Sequence, residues 1–177
     1  MTEPGLIAID LTDDERDFMQ TALTEFGGTA SYKPFPIKIL GVSTDDEFED
    51  LLDRLRMAIA RRYPLSELDW ARAQLLTEMC WGSDMIGSGI DFTYSCRDEL
   101  AVPLMRSIQR KLRRFGLGGA LFPDNGGRRT YAEVEAMKRQ REAQGKSSNC
   151  SCPMGSSGSS KRIPGLYGQY LMPVLRS

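Results

Sequence analysis

Histidine is absent from all 177 residues. Its absence excludes Ser-His and Cys-His nucleophile pairs, His-ligated zinc and imidazole general-base chemistry. Cysteine is scarce, at four residues. Cys80 lies in an apolar helical pattern and reads as a small buried hydrophobe. Cys150 and Cys152 are too close in sequence for ordinary disulfide geometry and lack the two-residue gap of a zinc knuckle. No disulfide framework is implied. Long hydrophobic runs are missing too: nothing approaches the roughly 18 apolar residues of a membrane helix, so no membrane partner is expected. The first ten residues, MTEPGLIAID, have no basic region followed by an apolar stretch, which excludes a secretory signal and makes a cytoplasmic location the expectation.

Acid is lacking in one part of the chain and abundant in the other. Residues 1–105 carry 20 acidic and 9 basic side chains, a balance of −11, whereas residues 106–177 carry 4 and 14, a balance of +10. The overall net charge of −1 hides this split. Two arrangements satisfy it: the halves neutralise each other within the fold, or the basic part faces a polyanion.

The rest of the composition is that of a globular protein, 41% hydrophobic and 27% charged. The most apolar helical stretch is 66–81, which holds both tryptophans, Trp70 and Trp81. Leu68, Leu75, Leu76 and Met79 form one stripe, with Trp70, Ala73, Thr77, Cys80 and Trp81 beside it, leaving Glu67, Arg72, Gln74 and Glu78 as a narrow wet face. So wide an apolar surface predicts burial against more than one neighbour, and this helix is expected at the centre. Ser66 caps it and Gly82 stops it.

Around it the pattern predicts three further helices. Thr12 and Glu15 make a capping box for a helix with Phe18, Ala22, Leu23 and Phe26 on its buried face, ended by a left-handed cap at Gly27-Gly28. Ser43 or Thr44 opens a second helix over 45–62, with Phe48, Leu51, Leu52, Leu55 and Ile59 in register and an Asp50–Arg54 pair on its surface. A last helix over 95–115 carries Leu100, Leu104, Ile108, Leu112 and Phe115 as its stripe, with Pro103 in the first turn or at a kink. Ile7, Ile9 and Leu11 alternate as in a short strand, for which Ile37–Val42 is the available neighbour. The expected fold is therefore mainly α: a compact domain of about four helices over 1–116, with at most a small two-stranded β-element. A glycine-rich linker (117–129), a short charged helix (130–145) and a flexible low-complexity tail (146–177) follow.

Two stretches could carry function. The first is the loop WGSDMIGSGIDF, residues 81–92, where Trp81, Asp84 and Asp91 are candidate ligand or partner contacts. No Gly-Lys-Ser/Thr follows, and its Gly-Ser-Gly falls short of a dinucleotide fingerprint. Convergence of Glu78, Asp84 and Asp91 would be required for a divalent cation or for paired-carboxylate chemistry. The second is an arginine face: Arg106, Arg110, Arg113 and Arg114, extended by Arg128 and Arg129, suits a polyanion. No catalytic residue, metal or cofactor is assigned. The functional expectation is a non-catalytic module that binds a protein partner. Association with nucleic acid through 106–141 is the alternative, and a carboxylate or metal-dependent enzyme using 78–91 is the third.

Overall fold

A computed structural model describes residues 5–147. Cys150, Cys152 and nearly all of the low-complexity tail lie outside the described residues. The chain divides into two units, Met1–Thr130 and Tyr131–Ser177. The first contains α1 (Asp13–Glu25), α2 (Asp45–Ala60), α3 (Glu67–Gly82), α4 (Asp98–Arg113) and the short α5 (Gly118–Leu121), with 3-10 turns at Ile37–Leu40, Gly89–Tyr94 and Pro123–Gly127. The second contributes α6 (Tyr131–Ser147). The fold is mainly helical, as the periodicity predicts.

Local capping sets the helix starts. The Thr12 hydroxyl accepts the Glu15 amide while the Glu15 carboxylate accepts the Thr12 amide at 2.7 Å. Thr44 and Ser66 cap α2 and α3 by accepting the amides of Glu47 and Asp69. Each cap satisfies donors that the first helical turn leaves without an intrahelical partner. The far end of α1 differs from the expectation. Gly27 and Gly28 are not left-handed, and Gly27 closes a tight turn by donating to the Thr24 carbonyl at 3.0 Å.

Two helices share the centre of the bundle, and one of them, α1, packs against α2, α3 and α4. The expected hub, α3, meets α1, α4, α5 and the Gly89–Tyr94 turn. α1 can touch three neighbours because Phe18, Met19, Ala22 and Leu23 are all buried, and Ala22 admits close approach of a neighbouring backbone. α2 presents the predicted stripe, with Phe48, Leu51, Leu52, Leu55 and Ile59 buried. At its start, Phe35 from the proline-rich loop stacks on Phe48, and both rings meet Phe26 edge-on. Arg54 ignores Asp50 and instead joins Arg72 on the nearly buried Asp69, tying α2 to α3. Burial would raise the Asp69 pKa, but the two guanidinium groups donating to it outweigh burial and hold it below the usual range.

The N-terminal segment forms no strand with Ile37–Val42, where Ile37–Leu40 is a 3-10 turn. Ile7 makes a single antiparallel bridge with Leu65, and its carbonyl also accepts the Trp70 indole N–H at 2.9 Å. Of the alternating residues, Ile9 and Leu11 are buried and Ile7 is partly buried, but the partner is the turn between α2 and α3. The glycine-rich segment after Phe115 is folded onto the first unit: Leu117 and Leu121 are buried, and α5 packs on α3.

Two buried charged residues at the start of α1 orient its neighbours. Arg16 donates to the Ile59 carbonyl in the last turn of α2 at 3.2 Å. The Glu15 carboxylate, only 2% exposed, accepts Lys111 Nζ of α4 at 2.7 Å. Burial pushes the Glu15 pKa up, but hydrogen bonds from Lys111, Ser107 and the Thr12 amide bring it below the ordinary value. A carboxyl depressed in this way stabilises the fold above its unfolded pKa of about 4.3, and that contribution is lost as pH falls through the folded value. Lys111→Met leaves the carboxylate buried without a cation and is expected to cost about 3 kcal/mol at neutral pH. In the variant the folded pKa rises instead, so the gap from wild type narrows as pH drops below about 4. Urea unfolding of both proteins at neutral and acid pH measures this; a gap independent of pH would show that Lys111 acts through packing alone.

Candidate functional site

The loop after α3 is built around two close approaches. A Cβ on Gly87 would stand 2.5 Å from the Cys80 Cα, and one on Gly89 would stand 2.6 Å from the Asp84 amide nitrogen. Gly89 also has φ +54, a conformation that favours glycine. Between them Ser88 is fully buried. Its Oγ lies 2.6 Å from Thr29 Oγ1 and 3.3 Å from Glu25 Oε2, and it accepts the Cys80 thiol at 3.5 Å. Glu25 also accepts from the Thr29 and Ser95 hydroxyls. Burial raises the Glu25 pKa, and these hydroxyl donors overcome that effect and lower it. The loop is thus fastened to the C-terminal end of α1.

The candidate carboxylates have different surroundings. Glu78 accepts from the amides of Gln74 and Gln109, at 2.8 and 3.0 Å. Asp84 is exposed, 3.7 Å from Lys33 Nζ. Asp91 lies in the Gly89–Tyr94 turn, partly buried. No group of three His, Cys, Asp or Glu side chains capable of holding a metal occurs among the described residues. Glu78, Asp84 and Asp91 therefore form no three-carboxylate cluster that could hold a cation. Trp81 is half-buried against the core, so its ring contributes mainly to packing.

Along α4 the second half of the expected stripe is buried, at Ile108 and Leu112, while in the first half Ala101 and Met105 are buried in place of Leu100 and Leu104. Ala101, Met105, Ile108 and Leu112 are the buried residues, each no more than 1% exposed. The expected stripe gave weight to the larger leucines, whereas the small Ala101 takes the close contact. Leu100 is left 63% exposed and Val102 44% exposed, while Leu104 and Phe115 are half-buried. Pro103 lies inside the helix beyond its first turn, on the exposed side.

The displaced apolar side chains border a groove of about 430 Å³ between α1 and α4. Phe18, Leu100, Pro103 and Leu104 supply its apolar lining, and Cys96 stands at one end. Asp14 and Asp17 line the α1 side. Asp98 and Glu99 precede Leu100 in the first turn of α4. None of these four carboxylates is in an ion pair among the described residues. The periodicity could not reveal this groove, because it assigned Leu100 to the core. The unpaired acids near both helix starts were the available signal.

The other half of α4 carries the opposite charge. Arg106, Arg110, Arg113 and Arg114 are exposed, as are Arg128 and Arg129 beyond it. Arg106 donates to Gln109, and the Arg114 guanidinium lies 4.8 Å from the Phe115 ring centroid. None of the six arginines is in an ion pair among the described residues, and Lys111 alone of the basic residues 106–130 reaches an acid. Among the described residues, direct neutralisation of the acidic part by this stretch is therefore confined to one bond.

Comparison with protein-family models, curated proteins and solved structures returned no match for this chain. No helix among the described residues is long and apolar enough to cross a membrane. The clasp gives a direct expectation. Gly87→Ala places a methyl group against the α3 backbone, which cannot yield as a side chain tip would, and should cost about 3 kcal/mol by urea unfolding. Gly82→Ala, whose Cβ meets nothing within 4 Å, serves as the control; equal losses would refute the steric account.

Proposed function

We propose that the first unit is a protein-docking module whose binding surface is the α1–α4 groove, and that it receives a cationic amphipathic segment of another protein. The carrying observation is the combination at one place: an apolar lining with exposed Leu100, rimmed by Asp14 and Asp17, which are in no ion pair among the described residues. An amphipathic helix lays its apolar face into such a groove and anchors by side chains three and four residues apart. Burial of a leucine-sized side chain is worth about 1.5–3 kcal/mol, which supplies affinity. The carboxylates on the rim select against acidic segments and accelerate encounter with basic ones.

The role of the groove is open to direct test with the full chain and two fluorescent model peptides of about 18 residues, one built from leucine and lysine and the other from leucine and glutamate. The lysine peptide is expected to bind and the glutamate peptide is not. Leu100→Asp separates the groove from mere charge attraction: the variant is more acidic, yet should bind the lysine peptide about tenfold more weakly because an apolar anchor is lost. If Leu100→Asp binds as well as wild type or better, the groove is not the docking site. Sedimentation of the protein alone checks a second occupant, since a dimer dissociated by Leu100→Asp would assign the groove to another copy of the chain and overturn the proposal.

A further inference from the structure

We infer that the arginine face of α4, with the glycine-rich turn that follows it, is a binding surface for single-stranded nucleic acid. This surface is distinct from the α1–α4 groove and rests on different observations.

Residues 106–130 contain seven basic side chains and one acid, Asp124. Arg106, Arg110 and Arg113 recur at steps of four and three, which places them on one helix face over about 10 Å. All three are exposed, and none is held by a carboxylate among the described residues. Arg106 spends one donor on Gln109, while a guanidinium not held by a carboxylate keeps donors for phosphate, which it can bind in bidentate geometry.

The surface continues past the end of the helix. A hollow lined by Gln109, Arg113, Gly116 and Gly118 adjoins one lined by Gly118, Gly119, Phe122 and Arg128, with Gly118 common to both. Arg113 and Arg128 thus border one trough. A Cβ on Gly116, Gly118 or Gly119 would meet nothing within 4 Å, so the backbone along the trough is open to an approaching chain. Phe122, 40% exposed, stands on the lining of the second hollow beside Arg128. Asp124 is also on that lining, as are Pro123, Asn125 and Gly126. An arginine track beside an exposed aromatic ring is the combination that binds single strands, since the cations follow the phosphates and the ring stacks on an unpaired base. A duplex keeps its bases stacked and offers nothing to Phe122. An acidic protein segment would satisfy the arginines but would likewise leave the ring without a base to stack on.

The test uses the full chain and a fluorescein-labelled oligodeoxythymidine of about 20 nucleotides, followed by anisotropy at roughly 50 and roughly 200 mM sodium chloride. Binding should weaken about tenfold or more between the two, as expected if at least three phosphates are neutralised. Replacing Arg106, Arg110 and Arg113 together by serine should lower affinity at least tenfold and reduce the logarithmic salt slope by about 2. Phe122→Ala should lower affinity about fivefold with the salt slope unchanged, because stacking releases no counterions. Retention of the thermal midpoint confirms that the variants fold, as expected for exposed positions. Three results would overturn the inference. The first is no binding by wild type. The second is equal binding by the triple variant, which would locate the contact in other basic residues. The third is displacement by polyglutamate, or binding of a hairpin duplex, as effective as that of the single strand.

Discussion

One buried carboxylate governs the geometry of the first unit. Glu15 could have remained a surface residue completing the cap of α1, as its position in the capping box alone would allow. Instead it is enclosed, and an enclosed carboxylate must find donors or become protonated. It receives the Thr12 amide from its own helix and Lys111 Nζ from α4. That requirement fixes where α4 crosses α1. The next residue, Arg16, reaches the Ile59 carbonyl and fixes where α2 ends against the same turn. Two adjacent residues therefore orient two neighbouring helices, while Met19, Ala22 and Leu23 supply the apolar contact that makes the crossing stable.

The exposed surface follows from that crossing. With Lys111 held at Glu15, the side of α4 facing the core carries Ala101, Met105, Ile108 and Leu112. Leu100 and Leu104 then fall to the flank of the helix, beside Asp14, Asp17 and Phe18 of α1. The groove is a consequence of the packing and is kept in place by the clasp around Ser88. That clasp joins the end of α1 to the segment leading into α4 through hydroxyl groups directed at Glu25. The glycines of the 81–92 loop thus provide close packing: Gly87 and Gly89 lie where a side chain would strike backbone.

Features set within one or two helical turns were legible in the sequence. The caps at Thr12, Thr44 and Ser66, the stripe of α2 and the broad apolar surface of α3 depend on spacing alone, and the structure has them where the spacing places them. What escaped was set by distant partners. Ile7 pairs with Leu65, 58 positions away, and no local pattern distinguishes that carbonyl from one in a hairpin. Arg54 has Asp50 at the favourable helical spacing, yet Asp69 on α3 offers a partly enclosed carboxylate shared with Arg72, and the interhelical site prevails. In α4 Ile108 and Leu112 fall in the core as their spacing indicates, but the first half of the stripe lies one residue further on, at Ala101 and Met105 in place of Leu100 and Leu104. The arginine face was visible as a pattern. Its lack of carboxylate partners was not, and neither was Phe122 beside it.

The two surfaces on α4 are opposite in charge, which raises the question of whether each would interfere with the other's ligand. Leu100 and Arg113 are separated by about 20 Å along the helix axis. At physiological ionic strength the screening length is about 8 Å, so the acids around the groove exert little influence on a polyanion held at Arg113 and Arg128. Arg106 is the exception, standing about 10 Å along the axis from Glu99. It is also engaged with Gln109, which directs its guanidinium along its own helix. The contacts nearest the C-terminal end of α4 should therefore carry most of the attraction for a polyanion, with Arg106 contributing least. A helix of this length lets a single rigid element present an apolar, acid-rimmed face at its start and a cationic face at its end, with the charge of one largely screened from the other.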